Sequence, residues 1–319
     1  MIIAPLFRDS DHLPLLITPS LNPTLEHLRS YLTSRKTDLH KLLLQHGAIL
    51  FRGFEINSPE DFKACVESLG AQPFGYAGGN SPRRQVAVDV FTSTEYPASE
   101  TISLHNEMSY LARWPNRLFF FSQLPAESGG QTSLALSRYV LRALPEEVVA
   151  RFRERKLTYL RTFHPRIPLG KTWQATYSTQ ERADVETAIK NQGSSFAWLP
   201  DGGLRVSTRC EALIRHPKTG EEVWFNQAEQ WHPSALSHDL RRVLEKMGVK
   251  DALPHDCRYG DGEMIGEEFL TRIRQTLDSC KLLFDWKRGD VLMVDNVLVM
   301  HGRETFRGPR KTLVYVSST

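Results

Sequence analysis

Between residues 22 and 47 the apolar side chains Leu25, Leu28, Leu32, Leu39, Leu42 and Leu43 recur at close to helical spacing, which predicts one or two amphipathic helices. A short apolar run at 48–51 follows as a strand. Ser58, with Asp61 three residues on and an apolar run behind it, has the pattern of a helix N-cap, and Gly70 closes that helix. Further helices are expected at 138–156, 181–192, 235–247 and 267–279, and strands at 85–91, 117–122, 204–209, 223–226, 291–294, 297–301 and 312–316. Pro217-Lys218-Thr219-Gly220 is a turn that joins two strands into a hairpin. The pattern is compatible with a double-sheet β architecture carrying helices outside it, or with an open α/β sheet, because periodicity alone does not separate the two.

Composition narrows the class without choosing the fold. The 319 residues, 40% hydrophobic and 24% charged, suit an ordinary globular protein able to bury a sizeable core. No repeat or linker marks a boundary, so one domain over 1–319 is expected. Forty basic against 37 acidic residues leave a formal charge of +3, too slight and too evenly mixed for a nucleic-acid or membrane surface. Four cysteines far apart, with no Cys-x-x-Cys, suggest neither a disulfide framework nor a zinc knuckle. With no apolar run long enough for a bilayer and no leader pattern at the start, a soluble cytoplasmic protein is expected.

The chemistry begins at 101–108, where the apolar residues Ile102, Leu104 and Met108 take even positions and Ser103, His105 and Glu107 the odd ones. On a strand, period 2 sets His105 and Glu107 side by side as a two-ligand clamp for a borderline divalent metal, whereas helical spacing would part them. The bland alternative is a half-buried polar strand. A third ligand is available in His301, at the end of the very apolar stretch 290–302, and Arg303, Arg307, Arg310 and Lys311 follow it into a final strand. An arginine there offers a planar fork for a carboxylate. Two histidines and a carboxylate form the facial triad of non-haem Fe(II) oxygenases, which leaves metal positions open.

With these residues in place the chain resembles the Fe(II)/2-oxoglutarate-dependent oxygenases of the taurine dioxygenase and clavaminate synthase-like superfamily, and most resembles the branch of the syringomycin-type aspartate hydroxylase. The resemblance runs from 46–54 through 92–97 and 104–108 to 301–306. It implies His105, Glu107 and His301 as iron ligands. Gly129-Gly130-Gln131-Thr132 matches the family's Gly-Gly-x-Thr, whose threonine helps hold the distal carboxylate of 2-oxoglutarate, and Arg310 matches its arginine partner, with Lys311 as fallback. Arg303 and Arg307 are expected on a solvated turn.

The resemblance further implies a mainly β fold with α insertions, a double-stranded β-helix (jelly roll) core with flanking helices, and a helical lid insertion at about 137–280. The segment 80–97 is expected to form a movable pocket wall. Within it Arg83 is a candidate for a substrate carboxylate, and Asn226 a candidate pocket residue, while His164 and His232 read as structural. The implied activity couples oxidation of an unactivated C–H bond, with hydroxylation the default, to conversion of 2-oxoglutarate and dioxygen into succinate and CO2. Glu107 fills the position that halogenating relatives give to a small residue. The implied substrate is a small amino-acid-like molecule, free or tethered to a carrier protein. The rival reading is a metal-dependent hydrolase or isomerase on a similar barrel, which would use the same three ligands for zinc and need neither Thr132 nor Arg310.

Overall fold

Period-2 alternation with both faces apolar organises the computed structural model, which describes the chain apart from residues 8–12, 76–78, 80–82, 95, 166–169, 237–241, 245 and 247–252. The larger sheet runs, edge to edge, through Ile2–Pro5, Leu15–Thr18, Ala48–Phe51, Val291–Asp295, Arg117–Leu124, Lys311–Ser317, Val90–Thr92 and Gln85–Ala87. Within it Ile49, Phe51, Phe119, Phe121, Val291, Met293, Leu313 and Tyr315 point outward, into a core shared with Leu28, Leu32, Leu39, Leu43 and Phe62 of the N-terminal helices. Their neighbours Leu50, Leu118, Phe120, Leu292, Val294, Val314 and Val316 point inward. Each fully buried Leu, Val or Phe contributes roughly 1.5–3 kcal/mol, and the polar residues of the central strands, such as Arg117, Asp295, Lys311 and Ser317, are gathered at the strand ends.

A second sheet of four strands, Leu282–Phe284, Thr132–Leu136, Val299–Arg303 and Ile102–His105, lies across that inner face. Leu134, Leu136 and Val299 close the inner core, while Ala135, Met300 and Leu104 turn the other way into a third core. That third core belongs to the stretch 137–280. Strands stand between its helices, as expected at 204–209, and Ser195–Trp198, Leu204–Cys210, Leu157–Phe163 and His255–Tyr259 form a four-stranded antiparallel sheet in it.

Several element boundaries move for local reasons. The helix expected at 138–156 is two helices, Ser137–Ala143 and Glu146–Arg155. Leu144 is forced extended (ψ 141°) by Pro145, whose ring excludes the helical region for the residue before it. The strand expected at 85–91 is a hairpin, turned at Asp89 with φ 62°. The helix expected at 235–247 lies largely outside the described residues. The N-terminal helices Leu25–Ser34 and Lys36–His46, the capping box of Ser58 and Asp61, and the left-handed Gly70 (φ 70°) agree with the sequence pattern. The turn at 217–220 closes a hairpin as expected, but its first strand is Leu213–Arg215, paired with Glu222–Trp224, and not the strand expected at 204–209.

Candidate metal centre and substrate chamber

Strands Val299–Arg303 and Ile102–His105 are antiparallel neighbours, and the register sets His301 directly opposite His105. Their rings face one another with centroids 4.4 Å apart, inside the mouth of the sandwich, and Phe120 of the larger sheet packs 5.2 Å from the His301 ring. Gly302 permits this approach, because a Cβ there would lie 2.4 Å from the Ile102 carbonyl oxygen and 2.5 Å from Ser133 Oγ.

Glu107 joins the pair by a route that period 2 does not describe. The strand ends at His105, and the chain turns through Met108 at φ 58°. The turn is held by Asn296, fully buried, whose Oδ1 accepts the Glu107 N–H at 2.7 Å while its Nδ2 donates to the carbonyls of Glu107 (3.0 Å) and Pro115 (2.8 Å). Asn106 Nδ2 in turn donates to the carbonyl of Asn296 at 2.7 Å, and Gln227 Nε2 to that of Asn106 at 2.7 Å. A ligand atom from each of His105, Glu107 and His301 then falls within 4.8 Å of the others.

The protonation states suit a cation. His105 Nδ1 lies 2.9 Å from the Ser103 carbonyl oxygen, which assigns it the proton and leaves Nε2 as a lone-pair donor. Burial, then the charges of His105 and Arg83, hold His301 well below its ordinary pKa, so its imidazole is neutral. Its Nδ1 is buried without a hydrogen-bond partner among the described residues, and Nε2 is 3.9 Å from Glu107 Oε2. Arg83 donates from Nη2 to Glu107 Oε2 at 2.8 Å, both side chains being almost fully buried. A positive charge is therefore already accommodated against the carboxylate. Two imidazoles and a carboxylate fit a divalent first-row metal.

A narrow cleft beside His301 is lined by Thr132, Arg310, Arg83, Phe120 and Thr312. Thr132 Oγ1 accepts the indole N–H of Trp286 at 2.9 Å, so its own hydroxyl proton is free to be donated to an anion. Burial, and secondarily Arg303, press Arg310 down to about 10, a desolvated guanidinium that an anion would stabilise. Gly130, at φ 70°, leaves the space that Arg310 crosses. Lys311 is exposed, so the cleft contains Arg310 and not the fallback. Arg303 departs from its expected solvated turn: it is buried and donates to the carbonyls of Tyr96 and Pro97 at 3.0 and 2.7 Å, fixing the chain that passes over the cleft. Arg307 is exposed as expected.

On the other side of His105 and Glu107 opens a chamber of about 540 Å³. Its walls include Tyr110, Trp231, Gln227, Glu229, Gln230 and Arg274. Glu229 accepts from Ser103 Oγ at 2.5 Å and from Arg274 Nε at 3.2 Å, and Gln230 Nε2 donates to Ser103 Oγ at 2.9 Å. Asn226 is not part of this wall. Its amide is spent on the Ala212 carbonyl and the Ala228 N–H, capping a short helix, and its neighbour Gln227 lines the chamber instead. Of the wall expected at 80–97, residues 80–82 and 95 lie outside the described residues, while Thr94 and Tyr96 line the chamber. His232 accepts the Ser234 N–H, a structural use as expected. Asn106, Asn296, Gln227 and Trp286 went unread in the sequence. Only the polar pair Asp295-Asn296, set between the apolar runs 291–294 and 297–300, signalled a demand for polar groups there.

The model of the taurine catabolism dioxygenase TauD, TfdA family matches residues 10–316. The dapdiamide synthesis protein DdaC of Enterobacter agglomerans is 35% identical over 312 residues, covering 98% of this chain and 93% of its own length. A clavaminate synthase-like protein of Arabidopsis thaliana is 30% identical over 313 residues, 94% of this chain and 88% of its own. Among solved structures, PvcB of Pseudomonas aeruginosa superimposes with a TM-score of 0.57 at 15% identity, over 99% of this chain and 90% of that one. A second structure describes PvcB as an Fe, alpha-ketoglutarate dependent oxygenase from an isonitrile synthetic pathway.

Proposed function

The chain belongs to the TauD, TfdA family of dioxygenases, and on that premise we propose that it is an Fe(II)- and 2-oxoglutarate-dependent oxygenase that hydroxylates an unactivated C–H bond of a small amino-acid-like substrate. The convergence of His105, Glu107 and His301 within 4.8 Å carries the reading. Family membership makes the protein an oxidoreductase and removes the hydrolase or isomerase alternative. Iron, 2-oxoglutarate and dioxygen together supply the oxidising power that takes a hydrogen from the substrate and leave succinate and CO2.

The protein's own residues position and exclude. His105, fixed by the Ser103 carbonyl, and His301, fixed by its strand, would hold the metal with Glu107, whose backbone Asn296 clamps. Arg310 and the hydroxyl of Thr132 would take the distal carboxylate of 2-oxoglutarate in the cleft, a charge-assisted pair shielded from water by Phe120 and Phe306. The substrate would enter the chamber over Tyr110 and Trp231, where amide, carboxylate and guanidinium groups can read both ends of an amino-acid-like molecule. In this reading the two facing sheets are a double-stranded β-helix, the stretch 137–280 is an insertion forming the chamber's far wall, and residues 1–319 act as one domain. The related DdaC is named for dapdiamide synthesis, which supports a biosynthetic role, and a substrate presented by a carrier protein fits a chamber open to the surface. No described helix is long and apolar enough to cross a membrane, and the reading places the enzyme in the cytoplasm.

Succinate release from the purified protein supplied with Fe(II), ascorbate, 2-oxoglutarate and a panel of free and carrier-tethered amino acids tests the proposal. Metal-dependent binding of 2-oxoglutarate in a calorimeter is the result expected even before the substrate is found. Binding that ignores the metal, or a Glu107→Gly variant that retains full turnover, would overturn it.

A further inference from the structure

At the far end of the sandwich from the Arg310 cleft lies a second cavity, of about 370 Å³, which the proposed reaction does not use. Lys36, His40, Arg117, His216 and Lys218 line it, together with the single acidic side chain Asp295. Asp295 is already engaged, its Oδ2 3.2 Å from His216 Nε2 and its Oδ1 accepting the N–H groups of Val297 and Leu298. Arg117, 7% exposed, makes its side-chain hydrogen bond to the neutral acceptor His40 Nε2 at 3.0 Å. Among the described residues no carboxylate lies within ion-pair distance of Lys36, Arg117 or Lys218. Three cations thus converge on one concavity against a single carboxylate, Asp295, which acts on Arg117 and leaves the positive charges in excess. Burial, followed by the charges of Arg117, Lys36 and Lys218, pushes His40 down to about 4, which keeps its ring an uncharged acceptor for Arg117.

We propose that this cavity is an anion-binding site for the phosphate group of a small phosphorylated molecule. A guanidinium fork and two ammonium groups are the donors that take a phosphate oxyanion, and the volume falls in the range of small-molecule sites, above what a bare ion needs. The site bears on the metal centre through one turn. Asp295, Asn116 and Val297 line the cavity, and Asn296 between them donates its N–H to the Asn116 carbonyl at 2.9 Å while its side chain clamps Glu107. Filling the cavity steadies the turn that presents the carboxylate.

Calorimetric titration of the full chain with inorganic phosphate and with glycerol 3-phosphate, at matched ionic strength, tests the site. Saturable binding is expected, weakened roughly tenfold by Lys36→Gln and again by Lys218→Gln, as loss of one charge-assisted contact does. Both lysines reach solvent, so neither variant threatens folding, and the tighter of the two probes names the source of the phosphate. Binding that survives both substitutions but vanishes in Arg310→Ala would overturn the proposal by putting the anion in the cleft, and so would the absence of saturation. Slower hydrogen exchange of the Glu107 amide with the probe bound is the expected mark of the link, and unchanged exchange would refute that part.

Discussion

His105 and His301 are two of three protein donors, so removing either leaves a site unable to hold a metal firmly. His105→Ala or His301→Ala is expected to abolish turnover and to weaken Mn(II) binding by at least about a hundredfold in a direct titration. Arg310 and Lys311 separate a buried role from an exposed one. Arg310→Ala should raise the 2-oxoglutarate KM by roughly 30-fold to several thousandfold, the equivalent of about 2–5 kcal/mol for an anion losing its buried partner. Lys311→Ala should change it by less than about twofold, since an exposed charge contributes little. A steady-state cosubstrate titration of the two variants decides, and a reversed order would mean that the final strand presents the other face.

At the level of elements, the site depends on one strand pair and one turn. A Cβ at residue 302 has no space between the Ile102 carbonyl and Ser133, so Gly302→Ala should destabilise the fold by about 1–3 kcal/mol through overpacking. It should also weaken metal binding, because the strands that pair His105 with His301 must separate. The turn at Asn296 is a hydrogen-bonding problem. Asn296→Ala would leave the Glu107 N–H and two carbonyls buried without partners, each costing about 1–3 kcal/mol, and chemical denaturation should show a loss of about 3 kcal/mol or more. Denaturation midpoints together with Mn(II) titrations check both variants. Wild-type metal affinity in a folded Asn296→Ala protein would show that Glu107 needs no clamp.

For the whole molecule the relevant titrations are those of histidines buried uncharged. Burial, then Arg161, holds His255 to about 3, and burial, then Arg117, Lys36 and Lys218, holds His40 to about 4, both below the ordinary 6.5. A depressed folded pKa means that the unfolded chain takes up the proton first. The contribution of these two residues is therefore complete above about pH 6.5 and declines as the pH falls toward their folded values. Because water reaches both rings through the cavities they line, the loss should be on the order of 2 kcal/mol between about pH 7 and about pH 4.5. Urea denaturation across that range checks it, with His40→Gln expected to flatten part of the slope. A stability that rose on acidification through this window would contradict the assignment.

The sequence by itself determined the parts whose cause is local. Leucine spacing at 25–43, the Ser58 and Asp61 capping box, the Gly70 terminator and the Pro217 to Gly220 turn all act within a few residues, and the structure agrees with each. The candidate site residues were legible too, because imidazole, carboxylate and guanidinium groups stand out where apolar runs surround them. What sits opposite what was decided only in three dimensions. Strands such as Arg117–Leu124 are apolar on both faces because a helix layer covers one and a second sheet the other, and that erases the alternation from which a sheet's faces are read. The path of Glu107 off its strand, the withdrawal of Asn226 into a cap, and the burial of Arg303 each depend on partners 14 to more than 180 residues away in sequence. Hydrogen bonds of that span leave no periodic trace, since a buried donor or acceptor demands a partner but does not specify where along the chain it comes from.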